Sequence, residues 1–424
     1  MPLISESRRL FYGWWIVVAS FTIALYTGGM VFYGFTAIFE PIADDLSWSH
    51  THISLAASLR GLEMGLLAPV MGILVDRWGA RRLVFSGSIL VAVGFILLSR
   101  TTSLGIFYGA FALIAVGMSM CAPTVLFSTI VNWFRKNVGV ATGIVSCGFG
   151  FGGLMIPAIV KLIEAYSWRT TVLALAIGML AIGPALSLVL RHRPEPYGYL
   201  PDGKDSIDAR SDLSPTKAQV EDIEIDVKTA LRSRTFWQLT LVGMCLAISA
   251  GAMITHVMPY LSSVSITRST AALTATAIPL LSIVGRLGFG WLGDRYDRRR
   301  IAASGFAIMV IGLAIFQMVS QPASGLLVPF VITFGIGWGG LSAMRPALVR
   351  QFFGRGNFGK IHGFSVGIVM LGAIAGTFLP GLVFDTFGSY QSVWYAIAGV
   401  TIIGLIAVAT VPPVHNKQPG DSGP

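Results

Sequence analysis

Three arginines, Arg60, Arg286 and Arg345, stand inside long apolar runs. A cation at the centre of an apolar span costs about 2.5–3.5 kcal/mol even on the lenient insertion scale, so it needs a partner or a task. The guanidinium of Arg286, near the middle of its run, can meet that cost by pairing bidentately with a carboxylate. Bonding to backbone carbonyls, or snorkelling to the nearer face, is the structural alternative. His256, in Thr255-His256-Val-Met-Pro259-Tyr260, could donate to an anion or carry a proton, although a lone histidine on an apolar helix is more often held structurally. Arg60 and Glu63 lie three apart and share a helical face. Mutual pairing is the simpler reading; protonation of Glu63 with release of Arg60 is the sharper one. Arg345 precedes Pro346 and reads equally as a gate or as a structural cap.

Other chemistries lack their parts. No His-Glu-x-x-His or Walker loop occurs, so a membrane protease or an ATP-driven pump is not indicated, and no cofactor or metal is expected. Cys121, Cys147 and Cys245 lie singly in apolar runs, without metal-ligand spacing or a disulfide framework. The glycines at 143, 148, 150, 152 and 153 follow no strand and read as a helix-packing face, as do those at 363, 367, 372 and 376.

The elements that position these residues follow from composition. Of 424 residues, 54% are hydrophobic and only 12% charged, with mean hydropathy +0.73. Soluble domains carry about 25% charged residues, so this chain cannot cover a soluble body and reads as an all-α, polytopic membrane protein. Spans of about 20 apolar residues can be placed at 11–39, 51–75, 83–99, 104–132, 138–163, 170–190, 236–262, 270–293, 301–320, 325–351, 359–384 and 391–411. The first exceeds a signal h-region and ends without a cleavage site. These are numbered spans 1 to 12 below. Twelve crossings put both termini on one side. Of the 30 Lys and Arg, 23 fall on that side and four on the other, so the termini are expected in the cytoplasm. The net charge of +10 is then a topology signal of a bacterial-type inner membrane protein, not a nucleic-acid patch.

The chain also repeats itself. Gly72-Ile-Leu-Val-Asp76-Arg77-Trp-Gly79-Ala-Arg81-Arg82 after span 2 returns 218 residues later as Gly290-Trp-Leu-Gly-Asp294-Arg295-Tyr-Asp297-Arg298-Arg299-Arg300 after span 8. Phe134-Arg135 with Gly143 is echoed at about 220 by Phe353-Gly-Arg355 with Gly363. Two parallel six-helix bundles, 1–190 and 235–411, are therefore expected, joined by a cytoplasmic linker, 191–234, and followed by a tail, 412–424. Such halves, related by an axis along the membrane normal, make a transporter architecture with its site at mid-membrane between them. The linker should hold one short amphipathic helix near 217–232.

At these residues the chain resembles the major facilitator superfamily, whose loop signature Gly-x-Leu-x-Asp-Arg-x-Gly-x-Arg-Arg is nearly complete at 72–82 and departs at Asp297 in 290–300. The resemblance implies a conformational latch built from Gly72, Asp76, Arg77, Gly79, Arg81, Arg82, Asp294 and Arg295. Physically, both aspartates can cap or bridge neighbouring helix ends. Tyr12-Gly-Trp14-Trp15, Phe39-Glu-Pro-Ile and Leu46-Ser-Trp48-Ser are similar to monocarboxylate transporters and bacterial oxalate–formate antiporters. In that branch an arginine at the place of Arg286 binds the substrate carboxylate, and a histidine on span 7 resembles His256 in placement.

Two departures qualify the resemblance. Ser282 stands where monocarboxylate transporters carry an Asp, and Tyr33 aligns with their span 1 Lys. Residues 364–384 hold no Lys or Arg, so a single mid-membrane cation favours a monovalent anion. Span 4 lacks the Arg of proton-coupled drug exporters, which demotes multidrug export. Taken together, the expectation is no enzyme but a secondary transporter of a small monocarboxylate such as lactate or pyruvate. Arg286, His256, Ser282 and Tyr33 would bind it, with a proton as coupling ion. The expected partners are the substrate and the bilayer, with the chain working as a monomer. An organic-anion exchanger and a non-transporting membrane sensor are the alternatives.

Overall fold

The computed structural model describes residues 11–48, 50–203, 225–387 and 389–412, and within helices leaves undescribed the side chains of Tyr33, Arg60 and Glu63 among others. Eleven of the described helices are long and apolar enough to cross a membrane. His50–Trp78, at 29 residues, supplies span 2 and completes twelve. Most spans are single helices, among them Ala80–Ser99, Arg234–Ser263, Arg268–Arg295, Leu327–Phe353 and Phe358–Phe387.

Spans begin where the chain offers a cap. Ser103, Ser167, Ser233 and Thr267 accept from backbone N–H groups three residues on, at 3.2–3.4 Å, and so satisfy donors the first turn leaves open. Span 4 breaks at Ala122 into Leu104–Met120 and Pro123–Trp133, with Pro123 at the first position of the second piece. Span 1 widens into a π-turn at Gly28–Tyr33, and span 5 tightens into a 3-10 turn at Gly152–Met155. The two irregular turns face one another, because a Cβ on Gly152 would collide with the Gly29 backbone.

The halves repeat each other's packing. Span 4 packs on spans 2 and 3, and span 3 on span 6; span 10 packs on spans 8 and 9, and span 9 on span 12. Each half has its own aromatic core. Phe107 and Phe111 approach to 4.8 Å between ring centres in the first, and Phe316 stacks on Phe330 at 4.2 Å in the second. Of the linker helix expected near 217–232 the structure describes Val227–Arg232; residues 217–224 lie outside the described residues. The start of the linker is tied to the first half, with Trp133 Nε1 donating to the Arg191 carbonyl at 2.6 Å and Asn132 Nδ2 to that of His192 at 3.0 Å. The three cysteines are buried and free.

Candidate functional site

The halves meet along two seams. In the first, span 8 lies on span 5: a Cβ on Gly290 would fall 2.5 Å from the Gly139 carbonyl oxygen, and one on Gly143 would fall 2.7 Å from that of Arg286. In the second, span 2 lies on span 11, with Gly72 against Gly359 and Gly363 against the Ala68 carbonyl. The two glycine series thus bring backbones together across the halves as well as within them. Gly148 meets the Phe21 carbonyl and Gly376 meets Ile248, each inside its own half.

Each seam ends in the same hydrogen-bonded bridge, called a latch below for its form. Asp294 accepts from Gly139 N and Val140 N at 2.8 Å each, at the start of the span 5 helix, and from Arg298 Nη2 at 3.2 Å. Asp76 accepts from Gly359 N at 3.0 Å and Lys360 N at 2.9 Å, at the start of span 11. A carboxylate placed there satisfies two open N–H groups and faces the positive end of a helix. The aspartate of each repeated loop therefore bridges to the opposite half.

The rest of the signature frames the latches. Gly79 has φ +78°, a conformation that favours glycine, and turns the chain from span 2 into span 3. In the second half Asp297 takes this place with φ −60° and caps span 9, accepting from Arg299 N at 2.9 Å and pairing with the Arg299 guanidinium at 2.8 Å. That guanidinium holds the Asp297 carboxyl below its ordinary range. The one departure from the repeat is thus an exchange of a glycine turn for a helix cap. Arg295 lies over the Trp291 ring at 3.8 Å, while Arg77, Arg81 and Arg82 are exposed.

Beyond the latches the halves enclose a cavity of about 790 Å³. The first half contributes mostly apolar wall, including Met71, Met118, Phe127 and Phe149. The second contributes Arg286, Trp338, Arg345 and His362. Arg286 reaches across the seam, with Nη1 donating to the Ser146 carbonyl at 2.6 Å and its guanidinium carbon 5.8 Å from the Trp338 ring centre. By the 218-residue offset it occupies the position of Ala68 in the first half. Among the described lining residues, every titratable side chain belongs to the second half.

Of the residues expected to surround Arg286, the structure brings two elsewhere. Ser282 is fully buried, its Oγ donating to the Pro279 carbonyl at 2.6 Å and its backbone pressed on Gly339 of span 10. It closes a helix–helix contact and does not line the cavity. His256 is 8% exposed and also lies off the cavity wall. Its Nε2 is 2.9 Å from the Thr377 carbonyl and its Nδ1 3.3 Å from Tyr390 Oη. A carbonyl only accepts, so Nε2 carries hydrogen, and in the neutral ring Nδ1 accepts from the tyrosine. The side chain ties span 7 to spans 11 and 12. Tyr33 lies on the π-turn of span 1, and Arg60 and Glu63 on span 2, with side chains outside the described residues.

Arg345, which also stands in an apolar run, lines the same cavity as Arg286, so two guanidinium groups share that wall. His362 is a further lining residue that the sequence repeat does not single out: at the 220-residue offset its counterpart is Thr142, which carries no titratable group.

The Major Facilitator Superfamily family model matches residues 18–265 and 240–424, and so covers nearly the whole chain. Monocarboxylate transporter 12 of Mus musculus is 23% identical over 414 residues, covering 92% of this chain and 83% of its own. Monocarboxylate transporter 7 of Homo sapiens is 23% identical over 453 residues, covering 95% and 86%. The uncharacterised MFS-type transporter YcxA of Bacillus subtilis is 22% identical over 417 residues, covering 96% of each. Among solved structures, the transporter FucP in the outward conformation superposes with a TM-score of 0.68 at 14% identity, covering 94% of this chain and 99% of that one, a likeness of fold. With two latched six-helix halves, a cavity between them and a family match along the chain, the protein belongs to the Major Facilitator Superfamily of membrane transporters.

Proposed function

We propose that the chain is a secondary transporter of small organic acid anions of the monocarboxylate kind, lactate and pyruvate among them, with the substrate carboxylate on Arg286. The observation that carries this reading is the position of Arg286: a guanidinium on the wall of a largely apolar cavity, at the seam between the halves. In such a site a bidentate carboxylate pair is strong and geometrically selective. Relatives named monocarboxylate transporters support the substrate class.

Loading neutralises the guanidinium and allows the halves to close over the anion; rocking about the two seams then exposes it on the latched face. A proton that accompanies the anion keeps the loaded step electroneutral. His256 is occupied in tying helices, which leaves Glu63 of span 2 as the candidate for that proton. The excess of Lys and Arg on the latch side supports a cytoplasmic position for that side and both termini, in a bacterial-type inner membrane, and the chain acts as a monomer. The captured state is then closed toward the cytoplasm.

Uptake of labelled lactate and pyruvate into proteoliposomes, with and without an inward proton gradient, tests this. Gradient-stimulated uptake that Arg286→Gln abolishes and Arg286→Lys strongly weakens is expected. Full uptake by Arg286→Gln removes the site assignment. Counterflow indifferent to the proton gradient replaces symport with exchange.

A further inference from the structure

The wall formed by spans 10 and 11 holds a polar cluster to which the reading above gives no task. Arg345 Nη2 donates to Ser365 Oγ at 2.8 Å, and Thr240 Oγ1 donates to the same oxygen at 3.1 Å. The serine is held from two sides and braces the guanidinium. Arg345 Nε and His362 Nδ1 are buried without a hydrogen-bond partner among the described residues. His362 is 2% exposed; its ring stacks on Phe358 at 5.1 Å and meets Phe127 of the other half edge-on at 6.3 Å. Buried polar groups left unpaired are costly; an acceptor oxygen recovers that cost at Arg345 Nε and, in the tautomer that carries hydrogen on Nδ1, at His362. None of the described lining residues is Asp or Glu, and an acceptor carried in by whatever fills the cavity would meet this need.

We infer that Arg345 and His362, braced by Ser365, form a second recognition point, and that the preferred substrates are carboxylic acids bearing a further oxygen acceptor. The acid's carboxylate sits on Arg286, so the inference rests on that assignment. Its second oxygen, of a hydroxyl, oxo or second carboxylate group, meets the donors of Arg345 and His362. An unfunctionalised acid of similar length leaves those donors unpaired and binds more weakly, because sites built around hydrogen bonds reject analogues that lack the partner.

Calorimetric titration of the full-length protein with propionate, lactate and malonate, at one pH and ionic strength, tests this. Lactate and malonate should bind at least about tenfold tighter than propionate. Arg345→Gln and His362→Phe, the latter keeping the ring stack, should bring the ratio to within about threefold, with lactate and malonate losing more affinity than propionate. Ser365→Ala, which withdraws the brace and keeps the charge, should give an intermediate loss. A wild-type ratio near one, or variants that weaken all three acids equally, would overturn the inference. Arg286→Gln separates the two assignments. Unchanged binding of all three acids there removes the first anchor; loss of all three, with the preference intact in Arg345→Gln and His362→Phe, removes only the second. Should Arg345→Gln fail to fold, His362→Phe and Ser365→Ala carry the test.

Discussion

Replacing Asp294 with asparagine should open the latched face. The carboxylate accepts two backbone N–H bonds at 2.8 Å and one from Arg298 at 3.2 Å. Hydrogen bonds to charged groups are worth about 1.5–3 kcal/mol each. Asparagine keeps one acceptor oxygen, turns an NH2 toward the second N–H and removes the charge that faces the helix end. A loss of about 2–4 kcal/mol from the closed state follows, or roughly 30- to 1000-fold in the closed-to-open ratio. Asp76→Asn, whose carboxylate makes the two backbone bonds at 2.9–3.0 Å without a hydrogen-bonded arginine, should shift the ratio less. Spin labels at Arg82→Cys and Arg300→Cys, both exposed and 218 residues apart in the repeat, read the separation once Cys121, Cys147 and Cys245 are changed to alanine. One short distance population in the parent and a second, longer one in Asp294→Asn is the expected result. Unchanged distances in both variants, or a larger shift in Asp76→Asn, would refute the latch argument.

The seam itself gives a second prediction. Gly290→Ala puts a Cβ 2.5 Å from the Gly139 carbonyl oxygen and should lengthen the same label distance, whereas Gly288→Ala, with open space around its Cβ, should be neutral or slightly stabilising. His256→Ala removes two interhelical bonds and should lower thermal stability in detergent, by about 2–3 kcal/mol, with substrate affinity within about twofold. Loss of binding without loss of stability would return His256 to the substrate site. In the linker, burial and the neighbouring Arg193 charge push the His192 imidazole down to about 4 from 6.5. The unfolded segment therefore binds the proton first as pH falls. Stability from this residue is complete above pH 6.5 and is lost progressively toward pH 4, by at most about 3 kcal/mol. Hydrogen exchange of residues 191–199 should accelerate across that window, and His192→Gln should flatten the response.

Much of this was legible in the chain because it rests on repetition and cost. The duplicated loop announced two halves, and the aspartates of that loop do bridge to neighbouring helix ends, since a carboxylate at that place offers one oxygen to each of two N–H groups. A lone arginine in an apolar span was legible for the same reason. The faces of the helices were less so. Ser282 and Arg286 lie four residues apart on one helix, yet one turns to span 10 and the other to the cavity. Glycine-rich backbones let several faces of a helix be buried at once, so apolar periodicity does not single out the lumen. Arg345 and His362 face the cavity through tertiary packing that neither residue's immediate sequence encodes.

The confinement of the cavity's described titratable groups to one half has an electrical consequence. Ala68 stands where its counterpart carries Arg286, so on the proposed reading the described positive charges of the cavity travel with the C-terminal bundle when the halves rock. On the proposed reading the empty carrier displaces charge through the membrane field as it reorients, and the anion-loaded carrier displaces less. Each full elementary charge moved across the bilayer is worth about 2.3 kcal/mol per 100 mV. Membrane potential would then act chiefly on the return of the unloaded protein, making the resting voltage of the cell a throttle on turnover even where net transport carries no current.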